Sequence, residues 1–511
     1  MRMASPLSRR RIVGRCPTLH LFCFLVAVTA SAEQALRLDV QEYRLDNGLK
    51  ILILEKHDSP TFAAQMVYKV GSVNEHPGIT GVSHFLEHLM FKGTKVMGIK
   101  DYEQELPLLK RIDDVEFILS AEKAKGQKAD KAKIRCLEQT LGELQTEHRK
   151  LLIKNDLWET YMKNGAVGLN ASTNADYSHY YCALPSNCLE LWCLLESDRM
   201  RSPVFREFFS ERDVVAEERR RSIDNNPAGL LREQLICTAF IAHAYQWPVL
   251  GWMSDITTIR RSEVEEFWRL YYAPNNCTMV LVGDVNPETV MAMTEKYFGD
   301  IPRQPPPKPV KTVEPEQCGE RMVRVEYDAE PLVCVGYHKV AVDHADQYVF
   351  DIIEALLSRG RSSRLYKSLL LDKQIAVRAS ADGGPDKYPG LFLFVLVPRH
   401  PHTVADALAA LDEEIKRLAE EPAGDQELQK VKNGLRVDFV RSLESNQGLA
   451  SKIAFYEGLL NWDYINTLVE RRDAVTAADV RRVVRTYFRR SNRTVAELVQ
   501  VKEMTGAPNG S

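Results

Sequence analysis

The chain has 511 residues, 45% of them hydrophobic and 27% charged, with a formal net charge of −3. That length predicts about two to four globular domains with sizeable cores. A charge so near zero argues against nucleic acid or an anionic membrane surface as the main partner.

The basic run Arg9-Arg10-Arg11 precedes an apolar stretch from Leu19 to Val28 and then Ala30-Ser31-Ala32. This order predicts a secretory signal peptide over 1–32, with a mature chain starting at Glu33. The apolar stretch is too short to span a bilayer, and no later segment is a spanning candidate. The expectation is a soluble, exported protein, periplasmic if the source is a Gram-negative cell. Ten cysteines are present, eight of them beyond the leader. Cys182, Cys188 and Cys193 lack C-x-x-C spacing, which predicts buried thiols rather than a cysteine metal site.

QEYRLDNGLKILILEK reads as two strands joined at Asp46-Asn47-Gly48. A third strand is predicted over Phe62–Ser72, and directly after it comes GITGVSHFLEHLMFKGT. Val82, Phe85, Leu86 and Leu89 give this segment one apolar helical face, with Thr80 as N-cap and Gly93 as stop. On a helix, His84, Glu87 and His88 fall within an arc of roughly 100°. Two imidazoles one turn apart can share one zinc ion, and the carboxylate between them then stands beside the metal to accept a proton. With its flanks, YKVGSVNEHPGITGVSHFLEHLMFKGT resembles the start of the pitrilysin/insulinase-type metallopeptidases, the inverted zincins with H-x-x-E-H.

Apolar residues at helical spacing (Leu108, Ile112, Val115, Leu119, then Ile134, Leu137, Leu141, Leu144) predict a helical hairpin inserted at 101–156. It projects from the first domain, either as a partner-docking element or as a solvated strut. AVGLNASTNADYSHYYCALP alternates like a strand. It resembles the family's edge strand, which implies that Asn170, Ala171 and Thr173 bind substrate backbone as an added strand; the other reading is an ordinary amphipathic strand.

SERDVVAEERRRSIDNN is a helix with Ser210 as its predicted cap, and Glu211 and Glu218 lie two turns apart on one face. The pattern E-R-D-V-V-x-E-E resembles the family segment that supplies the third ligand. It implies Glu218 as ligand and Glu211 as the carboxylate that orients a histidine, with Glu217 as runner-up. The inserted hairpin accounts for the long separation between His88 and Glu218.

Pro and Lys enrichment marks a linker over 301–319 between a metallopeptidase domain (36–300) and a second domain (320–500), followed by a tail (501–511). GYHKVAVDHADQYVFDIIEALLSRG echoes the strand and helix of the first motif without its metal residues. The fold expected is α+β: two homologous α/β-roll domains, each a mixed sheet flanked by helices, which in the family close as a clamshell.

The resemblance implies a zinc endopeptidase with one zinc per chain, held by His84, His88 and Glu218, and with Glu87 as general base. The alternative is a catalytically silent homologue that serves as an assembly subunit. Active relatives carry an arginine and a tyrosine seven residues apart after an S-S-R-L segment. In SSRLYKSLLLDKQIAVRAS those places hold Leu370 and Val377, and the Arg359/Tyr366 pair falls eleven residues early. This departure implies a homologous partner chain that supplies the pair in a heterodimer.

Overall fold

The computed structural model describes residues 37–500; the predicted signal peptide and the tail at 501–511 lie outside the described residues. Asp46-Asn47-Gly48 reverses the chain between β1 (Gln41–Arg44) and β2 (Lys50–Glu55), which pair antiparallel. Gly48 has φ +93°, and a Cβ there would lie 2.7 Å from that of Asn275, so only glycine fits the turn. β3 (Thr61–Tyr68) is shorter than predicted. Its expected end at Ser72 instead turns away, as the Ser72 and Val73 N–H groups bond the Asn174 and Ala175 carbonyls.

The motif helix α1 (Val82–Leu89) buries Val82, Phe85, Leu86 and Leu89 in the first core. The inserted hairpin is α2 (Tyr102–Lys123) and α3 (Lys131–Leu151). Leu108, Ile112 and Leu144 form its own small core. It does not project freely along its first helix: Asp113 pairs with Arg261 at 2.9 Å and Glu116 with Arg212 at 2.9 Å. Its base is fixed by Glu105, which takes both Arg206 and His148 at 2.7 Å.

β4 (Val167–Thr173), β5 (Ser178–Pro185) and β6 (Cys277–Gly283) complete a six-stranded sheet in the order β1-β2-β6-β3-β5-β4, with β4 outermost. Helices α4 (Phe208–Arg219) and α5 (Pro227–Ala239) follow β5 in the chain. The second sheet contains β7 (Arg321–Tyr327), β8 (Leu332–His338), β9 (Ala376–Asp382), β10 (Leu391–Pro398) and β11 (Arg493–Gln500), in the order β7-β11-β8-β10-β9. In each sheet one pair is parallel, β2 with β6 and β7 with β11, and the remaining pairs are antiparallel. The second sheet therefore repeats the first without β1. β8 and the following helix α6 (Asp346–Ser358) stand where β3 and α1 stand. The fold is α+β, two mixed sheets flanked by helices.

The halves exchange helices. α5 belongs to the first half by sequence, yet its Leu231 and Leu235 pack on Leu332, Cys334, Leu393, Ala496 and Leu498 of the second sheet. Reciprocally, α7 (Asn446–Leu459) lies across β3 and β6. Its buried Glu457 receives Lys50 at 3.0 Å and Lys69 at 2.8 Å. Burying each such leucine contributes about 1.5–3 kcal/mol, so either half alone would expose a core face. The connecting segment is pinned as well: Glu314 accepts the N–H groups of Ile241, Ala242 and His243, each at 2.9 Å.

All eight described cysteines are free, and Cys182, Cys188, Cys193, Cys277 and Cys334 are buried. No helix among the described residues is long and apolar enough to cross a membrane.

Candidate metal centre

The apolar face of α1 fixes its rotation, and that rotation turns His84, Glu87 and His88 toward β4 and α4. Thr80 is not the cap. Its hydroxyl donates to Asp255 at 2.7 Å, and Gly81, with φ +87°, takes the N-cap place. Buried Glu75 instead accepts the Gly81 and Ser83 N–H groups at 2.7 and 2.8 Å, doing the work of a capping side chain from outside the helix. α4 likewise starts earlier than its sequence suggested. Glu207, with φ +51°, holds the N-cap place, and Ser210 lies inside the first turn.

α4 brings Glu218 to the two histidines. Its Oε2 lies 3.7 Å from His84 Nε2 and 3.6 Å from His88 Nε2, and one donor atom from each residue falls within 4.8 Å of the others. Two imidazoles and a carboxylate so spaced suit zinc, whose bonds to N and O are about 2.0–2.2 Å. Glu217 is directed elsewhere: it pairs with Arg220 at 2.7 Å and is largely exposed.

The electrostatics also fit a cation. Burial and the nearby His88 charge lower His84 to about 4, against a weaker pull upward from Glu218. Burial would lower His88 too, but bonds to Glu211 and Glu218 outweigh it and raise this histidine to about 9. The donor set thus attracts one positive charge between carboxylates. Among the site residues, two buried polar atoms have no hydrogen-bond partner, His84 Nδ1 and Glu87 Oε2.

Glu87 is buried, and that burial raises its carboxyl above the ordinary range, while the Thr173 hydroxyl pulls the other way. Thr173 is thereby placed beside the base. Asn170 and Ala171 lie on the same outer strand; the Ala171 N–H bonds the Asn170 side chain at 2.9 Å.

Glu211 lies 3.4 Å from His88 Nδ1 and 2.6 Å from Lys92 Nζ. Lys92 and Glu75 were missed in the sequence. The spacing of Lys92, one turn after His88, was the available signal for it; Glu75 had none.

In the second half, Arg359 is engaged by Asp438 at 2.6 Å and by the Gly434 carbonyl at 2.8 Å. Leu370 lies in the widened turn Tyr366–Asp372, and Val377 is exposed on the edge strand β9.

Such a two-sheet fold with an inverted two-histidine helix defines a class of metallopeptidases, and comparison with known proteins agrees. Residues 50–109 match the family described as Insulinase (Peptidase family M16), and 258–435 match the Peptidase M16 inactive domain. The chain belongs to this insulinase/pitrilysin-type family. Within it, zinc protease PqqE of Helicobacter pylori is 29% identical over 472 residues, covering 89% of this chain and 91% of that one. The crystal structure of a protease from Helicobacter pylori superposes with a TM-score of 0.76 at 26% identity, covering 90% of this chain and all of that one. The periplasmic protease PqqL from Escherichia coli shares the fold, with a TM-score of 0.66 at 17% identity, over 90% of this chain and 47% of that one.

Proposed function

We propose that the chain is a zinc-dependent endopeptidase acting on peptides or unstructured polypeptide segments. The observation that carries this reading is the meeting of His84, His88 and Glu218 beside a buried carboxylate, Glu87, with one unpartnered oxygen. His84, His88 and Glu218 would hold one zinc, a Lewis acid that makes water nucleophilic near neutral pH. Glu87 would take a proton from the attacking water on Oε2 and return it to the leaving amine. Glu211 holds the His88 ring through Nδ1, leaving Nε2 directed at the site. The outer strand β4, through Asn170, Ala171 and Thr173, would align the substrate backbone as an added strand.

Leu370 and Val377 cannot donate a hydrogen bond to a developing oxyanion, and lacking such a donor typically costs about 10²–10³ in rate. The active form is therefore a heterodimer in which a homologous chain supplies an arginine and a tyrosine. Export to the periplasm is supported by the Arg9–Ala32 pattern and by the periplasmic neighbour. A silent assembly subunit is the competing reading, favoured only by those two apolar positions.

The test is zinc analysis of the protein purified from its native cells, with cleavage of quenched peptides measured with and without chelator. The expected result is one zinc per chain, chelator-sensitive cleavage, and a co-purifying homologous chain that raises the rate. Metal-free protein without activity in the presence of its partner would establish the silent subunit.

A further inference from the structure

We propose that a cavity of about 620 Å³ beside the metal centre is an anchoring pocket for a large apolar side chain of the bound polypeptide. The proposal rests on the peptidase reading for the identity of that polypeptide. The size falls in the range of about 300–1,000 Å³ typical of ligand pockets.

The walls come from both halves: Ile223, Ile236, Phe240 and Trp247 from the first, Leu391 and Phe455 from the second. Continuity with the site fixes the occupant. Ser222 lines the cavity about one helical turn beyond Glu218, and Ala175 lines it two residues beyond Thr173. A chain laid along β4 past Glu87 therefore runs to its mouth. None of His84, Glu87, His88, Glu218 or the β4 residues lines the cavity, so it is a separate contact and not part of the metal centre.

The pocket is built in advance of any ligand. The Tyr245 hydroxyl lies 2.8 Å from both carboxylate oxygens of Asp176 and accepts the Tyr388 N–H at 3.2 Å, which ties the second-half wall to the first. Trp247 Nε1 donates to the Ser72 carbonyl at 3.0 Å. α5 reaches the wall because residue 229 is glycine; a Cβ there would lie 2.1 Å from the Ser222 carbonyl oxygen. A preformed site loses less ordering entropy on binding.

Of the charged groups in the wall, Glu233 is held by Arg219 at 2.9 Å and Asp386 by Lys339 at 2.9 Å, Asp382 accepts the Gly384 N–H at 3.2 Å, and Arg232 also lines the cavity. A charged substrate side chain would leave water for a lining built largely of Phe, Trp, Leu and Ile side chains, where only Arg232 or Asp382 could offset the cost. An aromatic or leucine side chain meets no such penalty.

The experiment uses the full chain carrying Glu87→Gln, so that binding is read without turnover. Two labelled, unstructured peptides of Gly, Ser and Ala, one with a single Phe and one with Ala in its place, are titrated by fluorescence anisotropy. The Phe peptide should bind about tenfold tighter. Ile236→Trp and, independently, Val249→Trp should fill the cavity and abolish the difference, with zinc content and thermal melting unchanged. Equal affinities, no binding of either peptide, or discrimination that survives both fillings would overturn the proposal. So would light scattering that shows the fillings dissociating a dimer of this chain. Discrimination by a chain whose unmodified form cleaves nothing would count against the peptidase reading and leave the pocket standing.

Discussion

Arg206 meets Glu105 through two parallel hydrogen bonds, Nε to Oε1 at 2.7 Å and Nη2 to Oε2 at 2.8 Å, with both side chains sealed from water. Glu105 belongs to the inserted hairpin. Nη1 donates to the Lys92 and Met97 carbonyls, and Nη2 donates also to the Thr94 carbonyl, in the loop that leaves α1. The insertion therefore braces the segment behind the metal helix.

Breaking one side of that pair leaves a buried charge without its partner. Glu105→Ala should destabilise the protein by about 3–5 kcal/mol, read as a lower midpoint in urea unfolding. Stability within experimental error of the parent would show that the hairpin is a dispensable strut.

Glu211 makes a similar argument at the metal centre. Glu211→Gln should weaken zinc binding about 10–100-fold by freeing the His88 ring, measured by competition with a chelator of known affinity. Unchanged affinity would mean that Glu211 does not orient the ligand.

Glu75 gives a pH signature. Burial raises its carboxyl from 4.5 to about 7, against the opposing bonds from the Ser83 and Gly81 N–H groups. The folded state thus binds more protons than the unfolded one between about pH 4.5 and 7. This residue's contribution to stability is greatest below that window and falls as pH rises through it. Glu75→Gln is uncharged at every pH and so removes this titration, whatever offset it adds by losing one acceptor. Relative to the parent it should gain roughly 3 kcal/mol in stability from pH 4.5 to pH 7. Denaturant unfolding at several pH values checks this; a difference that stays flat with pH contradicts it.

Gly251 and Gly81 pack backbone to backbone under the start of α1. A Cβ on Gly251 would lie 2.2 Å from the Thr80 carbonyl oxygen, and its φ is +77°. Gly251→Ala should therefore lower stability by more than the roughly 1 kcal/mol of a simple conformational penalty, and should reduce zinc content with it. A variant with parental melting and metal content would refute the link.

The sequence made the motif legible because α1 obeys local rules: its apolar spacing fixes which residues share a face, and so aligns His84, Glu87 and His88. Glu218 required its flanking pattern, since one more glutamate in a charged helix carries no local signal. What escaped was long-range. Thr80 and Ser210 have the right chemistry for caps, but Asp255 claims the Thr80 hydroxyl, and α4 begins before Ser210. No periodicity says which sheet an apolar helix will cover, so the exchange of α5 and α7 between the halves was hidden. The repeat in the second half was visible as strand then helix, and its sheet order follows the same plan.

The central claim is that Glu87 moves the proton while His84, His88 and Glu218 hold the metal. The direct measurement is zinc content and peptide turnover of Glu87→Gln beside the parent, each assayed as purified from its native cells. One zinc per chain in both proteins, with turnover in the variant lower by about 10²–10⁴, is the predicted result. Full turnover by Glu87→Gln would contradict the account.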